Sequence, residues 1–187
     1  MPPQARLLLV DDEQSVTFTL SKVLENAGYD VVTASNIAEA QTHIDTRSLS
    51  AAIVDLRLGE EDGIQVLRLL KASQPDCMAI LLTGYASLES AVAAVREGAY
   101  DYLMKPCDIE ELKLTVKGAV ERSAIARSLR EQFHEEKTAH SRVRAYAEEL
   151  EWRLNQVSSE MDKQPPSGAA KPPVAKATNG RKSKKRA

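Results

Sequence analysis

Leu7–Glu13 reads LLLVDDE. An apolar run ends, with no spacer, in three carboxylates. Four apolar residues bounded by charge, too short for a helix of their own, read as a strand covered on both faces. Like charges side by side repel, so a buried strand ending in a pile of acids needs a reason outside the strand.

The rest of the chain repeats the pattern of apolar run followed by helical spacing. Residues 6–10 are the first expected strand. Val16, Leu20, Val23 and Leu24 have helical spacing over 14–27, and Gly28 stops that helix. Further strands are expected at 30–34 (DVVTA), 51–55 (AAIVD), 78–83 (MAILLT) and 101–104. Helices are expected at 37–46, with Asn36 or Ser35 as N-cap, at 63–73 before Pro75, at 88–97 before Gly98, and from Ile109 for about fifty residues. Alternation of this kind implies right-handed crossovers and a doubly wound parallel α/β sheet with helices on both faces.

Open α/β sheets hold their ligands beyond the carboxyl ends of the strands. The residues there are Asp11 and Asp12, Asp55, Thr83 and Lys105. Taken singly each has an ordinary reading: an aspartate can cap a helix, a threonine can end a strand, and lysine is a common surface residue. Taken together they put three carboxylates, a hydroxyl and an ammonium in one pocket. Three carboxylates within about 5 Å would raise one another's pKa unless a cation relieved them. Mg²⁺ takes hard oxygen ligands and commonly works beside phosphate. The acids of LLLVDDE thus read as half of a magnesium site and Asp55 as the other half.

With LLLVDDE, IVDLRLGEEDG (53–63), LLTGYAS (81–87) and GAYDYLMKP (98–106) in place, the sequence resembles the receiver domain of two-component response regulators from about Arg6 to Ala119. DLRLG followed by TGYAS is most similar to the redox-responsive and nitrogen-regulator receivers. The resemblance implies a flavodoxin-like (βα)5 fold, with Asp55 as phosphoacceptor for a sensor histidine kinase or a phosphotransfer protein. It implies Mg²⁺ held by Asp12 directly, Asp11 through water, Asp55, and the backbone carbonyl of Arg57. Thr83 and Lys105 would contact the phosphoryl group, Thr83 and Tyr102 would form the switch, and a cis bond before Pro106 would aim Lys105. Such a chain is no enzyme beyond catalysing its own phosphorylation and dephosphorylation. One departure is Gly59, where the family has a proline; with Glu60, Glu61 and Asp62 it implies a more mobile, more negative loop. Arg57 and Tyr85 stand where the family tunes hydrolysis. Aspartate-dependent phosphatases of the haloacid dehalogenase type, which need a second acid two residues past the nucleophile, have Arg57 against them, since guanidinium stays protonated. A dinucleotide-binding domain would need glycines where DDE stands.

Composition sets the remaining bounds. Eight of the 25 basic residues follow residue 162 with no acid among them, leaving seventeen against 27 acids in residues 1–162. The net charge of −2 therefore hides an acidic body and a basic tail. Cys77 and Cys107 make no disulfide framework. No apolar stretch approaches the roughly 20 residues of a membrane span, and no signal peptide is visible, so a cytoplasmic protein is expected. The expected organisation is a receiver domain at 1–119, a long helix at 120–162, and a disordered Pro/Ala/Lys-rich basic tail at 163–187; no output domain is recognised. The helix admits a heptad frame with a positions at Ala119, Ala126, Phe133, His140, Ala147, Leu154 and Met161. Its d positions are Arg122, Leu129, Glu136, Val143, Leu150 and Val157. Glu136 and His140 break its middle, so a homodimeric coiled coil is expected through 143–161, against the plainer reading of a single exposed helix. Output would pass through this helix to a protein partner. The alternative is a DNA-associated regulator whose tail binds nucleic acid by counterion release.

Overall fold

The computed structural model describes residues 4–84 and 88–161. Five strands form one parallel sheet: β1 (Arg6–Val10), β2 (Asp30–Ala34), β3 (Ala51–Asp55), β6 (Met78–Thr83) and β7 (Asp101–Met104), in the order β2-β1-β3-β6-β7. The helices are α1 (Gln14–Asn26), α2 (Ile37–Thr46), α3 (Ile64–Ser73), α4 (Leu88–Arg96) and α5 (Ile109–Met161). The expected flavodoxin-like sheet is therefore present, strand for strand.

The all-apolar strands follow from burial on both faces. Leu8, Val10, Ala52, Val54 and Leu81 point to one side, where Ala40 and Ile44 of α2, Val66, Leu67 and Leu70 of α3 and Ala94 of α4 cover them. Leu7, Leu9, Ile53, Ile80 and Leu82 point to the other, under Leu20 and Leu24 of α1 and Leu112, Val116 and Ala119 of α5. Alternate residues of one strand thus feed two cores, each buried leucine contributing about 1.5–3 kcal/mol.

Local signals set the helix ends. The Asn36 side chain accepts from the Glu39 N–H at 2.9 Å, while the Glu39 carboxylate accepts from the Ser35 N–H at 2.8 Å, a reciprocal capping box. The Ser35 backbone bond, and then its hydroxyl, hold the Glu39 carboxyl below its usual range. Gly28, at φ 92°, closes α1 in the left-handed region.

Two features depart from the expected layout. Residues 57–62 form a two-stranded antiparallel ladder, β4 (Arg57–Leu58) with β5 (Glu61–Asp62), where a mobile loop was expected. Gly59, at φ 63°, makes the reversal possible, and Leu58 is buried in the core. The second departure is in α5, which runs unbroken past residue 119 as expected but stays docked on the body there. Ser123 is buried, the Arg127 guanidinium donates to the Leu49 carbonyl, and Arg130 pairs with Asp76 at 2.9 Å. The first compact unit accordingly extends to Glu135.

In the second unit, from Glu136, the helix presents Val143, Tyr146, Leu150, Trp152 and Leu154 to solvent. The side chains of Val157 and Met161, Tyr85, and everything after residue 161 lie outside the described residues. Among the described residues no helix is long and apolar enough to cross a membrane.

Candidate functional site

The site grows from strand ends. β1 delivers Asp11, whose N–H donates to the Ala34 carbonyl at 3.1 Å, fixing the turn off the sheet. Beside it in the sheet, β3 delivers Asp55, opposite Leu82 of β6. β6 ends at Thr83, which is buried, and its carbonyl accepts the Lys105 N–H at 2.7 Å, tying the end of β6 to the residue after β7. The Lys105–Pro106 peptide is cis.

These constraints converge on one ammonium. Lys105 Nζ donates to Asp11 Oδ2 at 2.5 Å and to Asp55 Oδ2 at 2.6 Å. The other oxygens take backbone donors: Asp11 Oδ1 accepts from the Glu13 N–H at 3.0 Å, and Asp55 Oδ1 from the Arg57 N–H at 3.2 Å. Asp12 is exposed, yet Asp11, Asp12 and Asp55 each place a carboxylate oxygen within 4.8 Å of the others. The structure thus brings Asp11, Asp12, Asp55, Thr83 and Lys105 to one sheet edge. Tyr102 stands three residues before Lys105, on β7, half-buried against the core cluster of the α2–α3 face.

The electrostatics are unbalanced in a telling direction. Burial pushes the Asp11 carboxyl above its ordinary value, and the bonds from Lys105 and Glu13 only partly offset this. Burial alone would lower the Lys105 pKa, but its bonds to Asp11 and Asp55 outweigh that and raise it. One cation therefore serves two carboxylates, with a third alongside. That donor set, three oxygens with one exposed to water, fits a small hard divalent ion.

Comparison with known proteins agrees with this geometry. A family model described as the response regulator receiver domain matches residues 7–117. The chain belongs to that family. Receiver sequences similar to it include the photosynthetic apparatus regulatory protein RegA of Cereibacter sphaeroides, 42% identical over 106 residues, which cover 57% of this chain and 58% of RegA. The alginate biosynthesis regulator AlgB of Pseudomonas putida is 37% identical over 118 residues, 63% of this chain and 26% of AlgB. The chain therefore matches little more than half of RegA and about a quarter of AlgB. Among solved structures, a Burkholderia pseudomallei response regulator with a phosphorylated aspartic acid, calcium ion and citrate superimposes with TM-score 0.59. It is 33% identical, and the match covers 67% of this chain and 74% of that one.

The receiver site includes one residue that sequence reasoning treated only as a helix start. Gly63 is in ordinary helical backbone (φ −57°, ψ −19°), so no unusual dihedral demands glycine. A methyl carbon there would lie 1.9 Å from the Asp55 carbonyl oxygen. The N-terminal end of α3 is packed directly against the backbone that carries Asp55, and Gly63 N–H donates to the Leu56 carbonyl at 2.9 Å. The local signal was the Asp-Gly pair: Asp62 Oδ1 accepts from the Ile64 N–H at 2.9 Å, an Asx-type start for α3.

Proposed function

We propose that this receiver takes a phosphoryl group onto Asp55 from a phosphohistidine of a sensor histidine kinase or a phosphotransfer protein. The observation that carries the reading is the Lys105 ammonium shared by Asp11 and Asp55 beside exposed Asp12. Asp11, Asp12, Asp55 and the backbone carbonyl of Arg57 would hold Mg²⁺, which when bound neutralises phosphoryl oxygens. A carboxylate oxygen of Asp55 forms the new P–O bond as the donor's P–N bond breaks, and the departing imidazole takes a proton from solvent. Transfer of this type depends on in-line placement and charge neutralisation more than on covalent help. The backbone N–H of Arg57 orients Asp55 for it, and Lys105 supplies a cation for the transferred group. The calcium ion and phosphorylated aspartic acid named for the Burkholderia structure support the same chemistry here. A cleft of about 490 Å³ between α1 and the Lys105–Cys107 segment, walled by Val16, Leu20 and Leu82, gives the donor an approach beside the acids.

Phosphorylation adds about −1.5 to −2 charge. Lys105 and the Thr83 hydroxyl then turn to the phosphoryl oxygens, and Tyr102 moves inward. The output passes along α5, whose exposed Val143, Leu150 and Leu154 support a homodimer through 143–161. Asp55→Asn tests the assignment. The variant is expected to take up no acid-labile phosphate from acetyl phosphate and Mg²⁺, and labelling at the wild-type level would refute it.

A further inference from the structure

Any pairing of α5 with a second copy must choose a direction, and the side chains of the second unit favour one choice. Val143, Ala147, Leu150 and Leu154 are spaced four, three and four apart and all are exposed, so they form a single seam on one side of the helix. If two copies ran parallel, each residue would face its own counterpart. Ala147 would meet Ala147, leaving a thin layer between the Val143 and Leu150 layers, and upstream Glu136 would meet Glu136. Like charges opposed across a seam are destabilising, and buried ones more so. The residues flanking a parallel seam would bring Tyr146 to Glu151 and Ala139 to Arg144, with no pair of opposite charges.

Running the second copy antiparallel changes each of these pairings. Val143 meets Leu154 and Ala147 meets Leu150, so every described layer sets a small residue against a larger one. The flanks then bring Arg144 beside Glu151 and Tyr146 beside Arg153, each twice by symmetry. The single helix leaves this arrangement open. Arg144 bonds Glu148 at 3.1 Å and Arg153 bonds Glu149 at 2.7 Å, while Glu151 joins no ion pair among the described residues. Arg144 can keep Glu148 and still reach a second carboxylate, because guanidinium carries five donors.

We infer that α5 binds a second copy of this chain as an antiparallel coiled coil over residues 143–154, closed on itself by Arg144–Glu151 pairs. It rests on the dimer reading above and adds its direction. The test uses the full chain with Cys77→Ala and Cys107→Ser, carrying either Val143→Cys or Leu154→Cys and distinguishable by a tag. On mild oxidation the mixture is expected to give the disulfide-linked hetero-pair, while neither variant alone links to itself. Self-linking of each variant alone, with dimer in sedimentation equilibrium, overturns the direction and leaves the dimer. Monomer at high micromolar concentration overturns both. A second measurement keeps the native cysteines. Glu151→Arg is expected to raise the dimer dissociation constant about tenfold, and Arg144→Glu with Glu151→Arg to restore it. A double variant as weak as the single one would also overturn the antiparallel arrangement.

Discussion

Replacing Gly63 by alanine isolates how the receiver holds Asp55. In helical backbone such a substitution ordinarily stabilises by about 0.4–1 kcal/mol, because the unfolded chain loses freedom. Here the added methyl would stand 1.9 Å from the Asp55 carbonyl oxygen, 3.0 Å from its carbonyl carbon and 3.2 Å from Leu56 Cα. Non-bonded carbons prefer about 3.5 Å or more, so α3 and the end of β3 must part by about 1.5 Å. All three obstacles are backbone and cannot rotate away. The Gly63–Leu56 hydrogen bond of 2.9 Å is stretched by the same movement, at about 1 kcal/mol. Overpacking costs a further ~1–3 kcal/mol. The expected net loss is about 1.5–3 kcal/mol, a fall of roughly 1 M or more in the urea midpoint. Displacing Asp55 by about an ångström should also slow phosphorylation by acetyl phosphate about a hundredfold. Gly28→Ala is the control. Its φ of 92° makes a side chain strained, about 1–2 kcal/mol, but nothing lies within 4 Å and the site is remote. That variant should lose stability and phosphorylate normally. Gly63→Ala with unchanged urea midpoint and unchanged labelling would refute the close-packing argument.

Four further outcomes are expected. In Mg²⁺ at a hundred times its dissociation constant the receiver should gain about 2.7 kcal/mol, read as a higher melting temperature, and Asp12→Ala should abolish most of that gain. The Lys105 bridges should contribute constant stability through neutral pH, because the raised folded pKa lies above the ordinary 10.5, and lose it only as pH climbs through that raised value; a loss between pH 6 and 9 in chemical denaturation that Lys105→Met removes would contradict this. Cys77, buried and pushed up to about 12, should resist iodoacetamide at pH 8 until the protein unfolds, with half-buried Cys107 reacting slowly but first by mass spectrometry. Cutting the chain after residue 119 should cost about 2 kcal/mol relative to cutting after 135, since it removes the buried Ser123 turn and the bonds of Arg127 and Arg130; equal urea midpoints would show that this docking contributes nothing.

The strands and the helices α1 to α4 were legible within a residue or so, because periodicity and caps are local: LLLV reads as a two-faced strand from its own composition, and Asn36 caps from three residues away. The convergence of Asp11, Asp55, Thr83 and Lys105 was legible too, since a doubly wound sheet sends strand ends to one edge whatever its loops do. What needed the tertiary structure was contact between distant segments. Two-residue strands such as Arg57–Leu58 are shorter than any period, so only their pairing with Glu61–Asp62 reveals them. Gly63 looks like an ordinary helix start until the Asp55 carbonyl is seen where its side chain would be. Arg127 and Arg130 read as the polar face of a free helix, yet their partners, Leu49 and Asp76, lie far back in the chain. A single ammonium shared between two carboxylates likewise has no local signature, because chain reversal alone decides which charges meet.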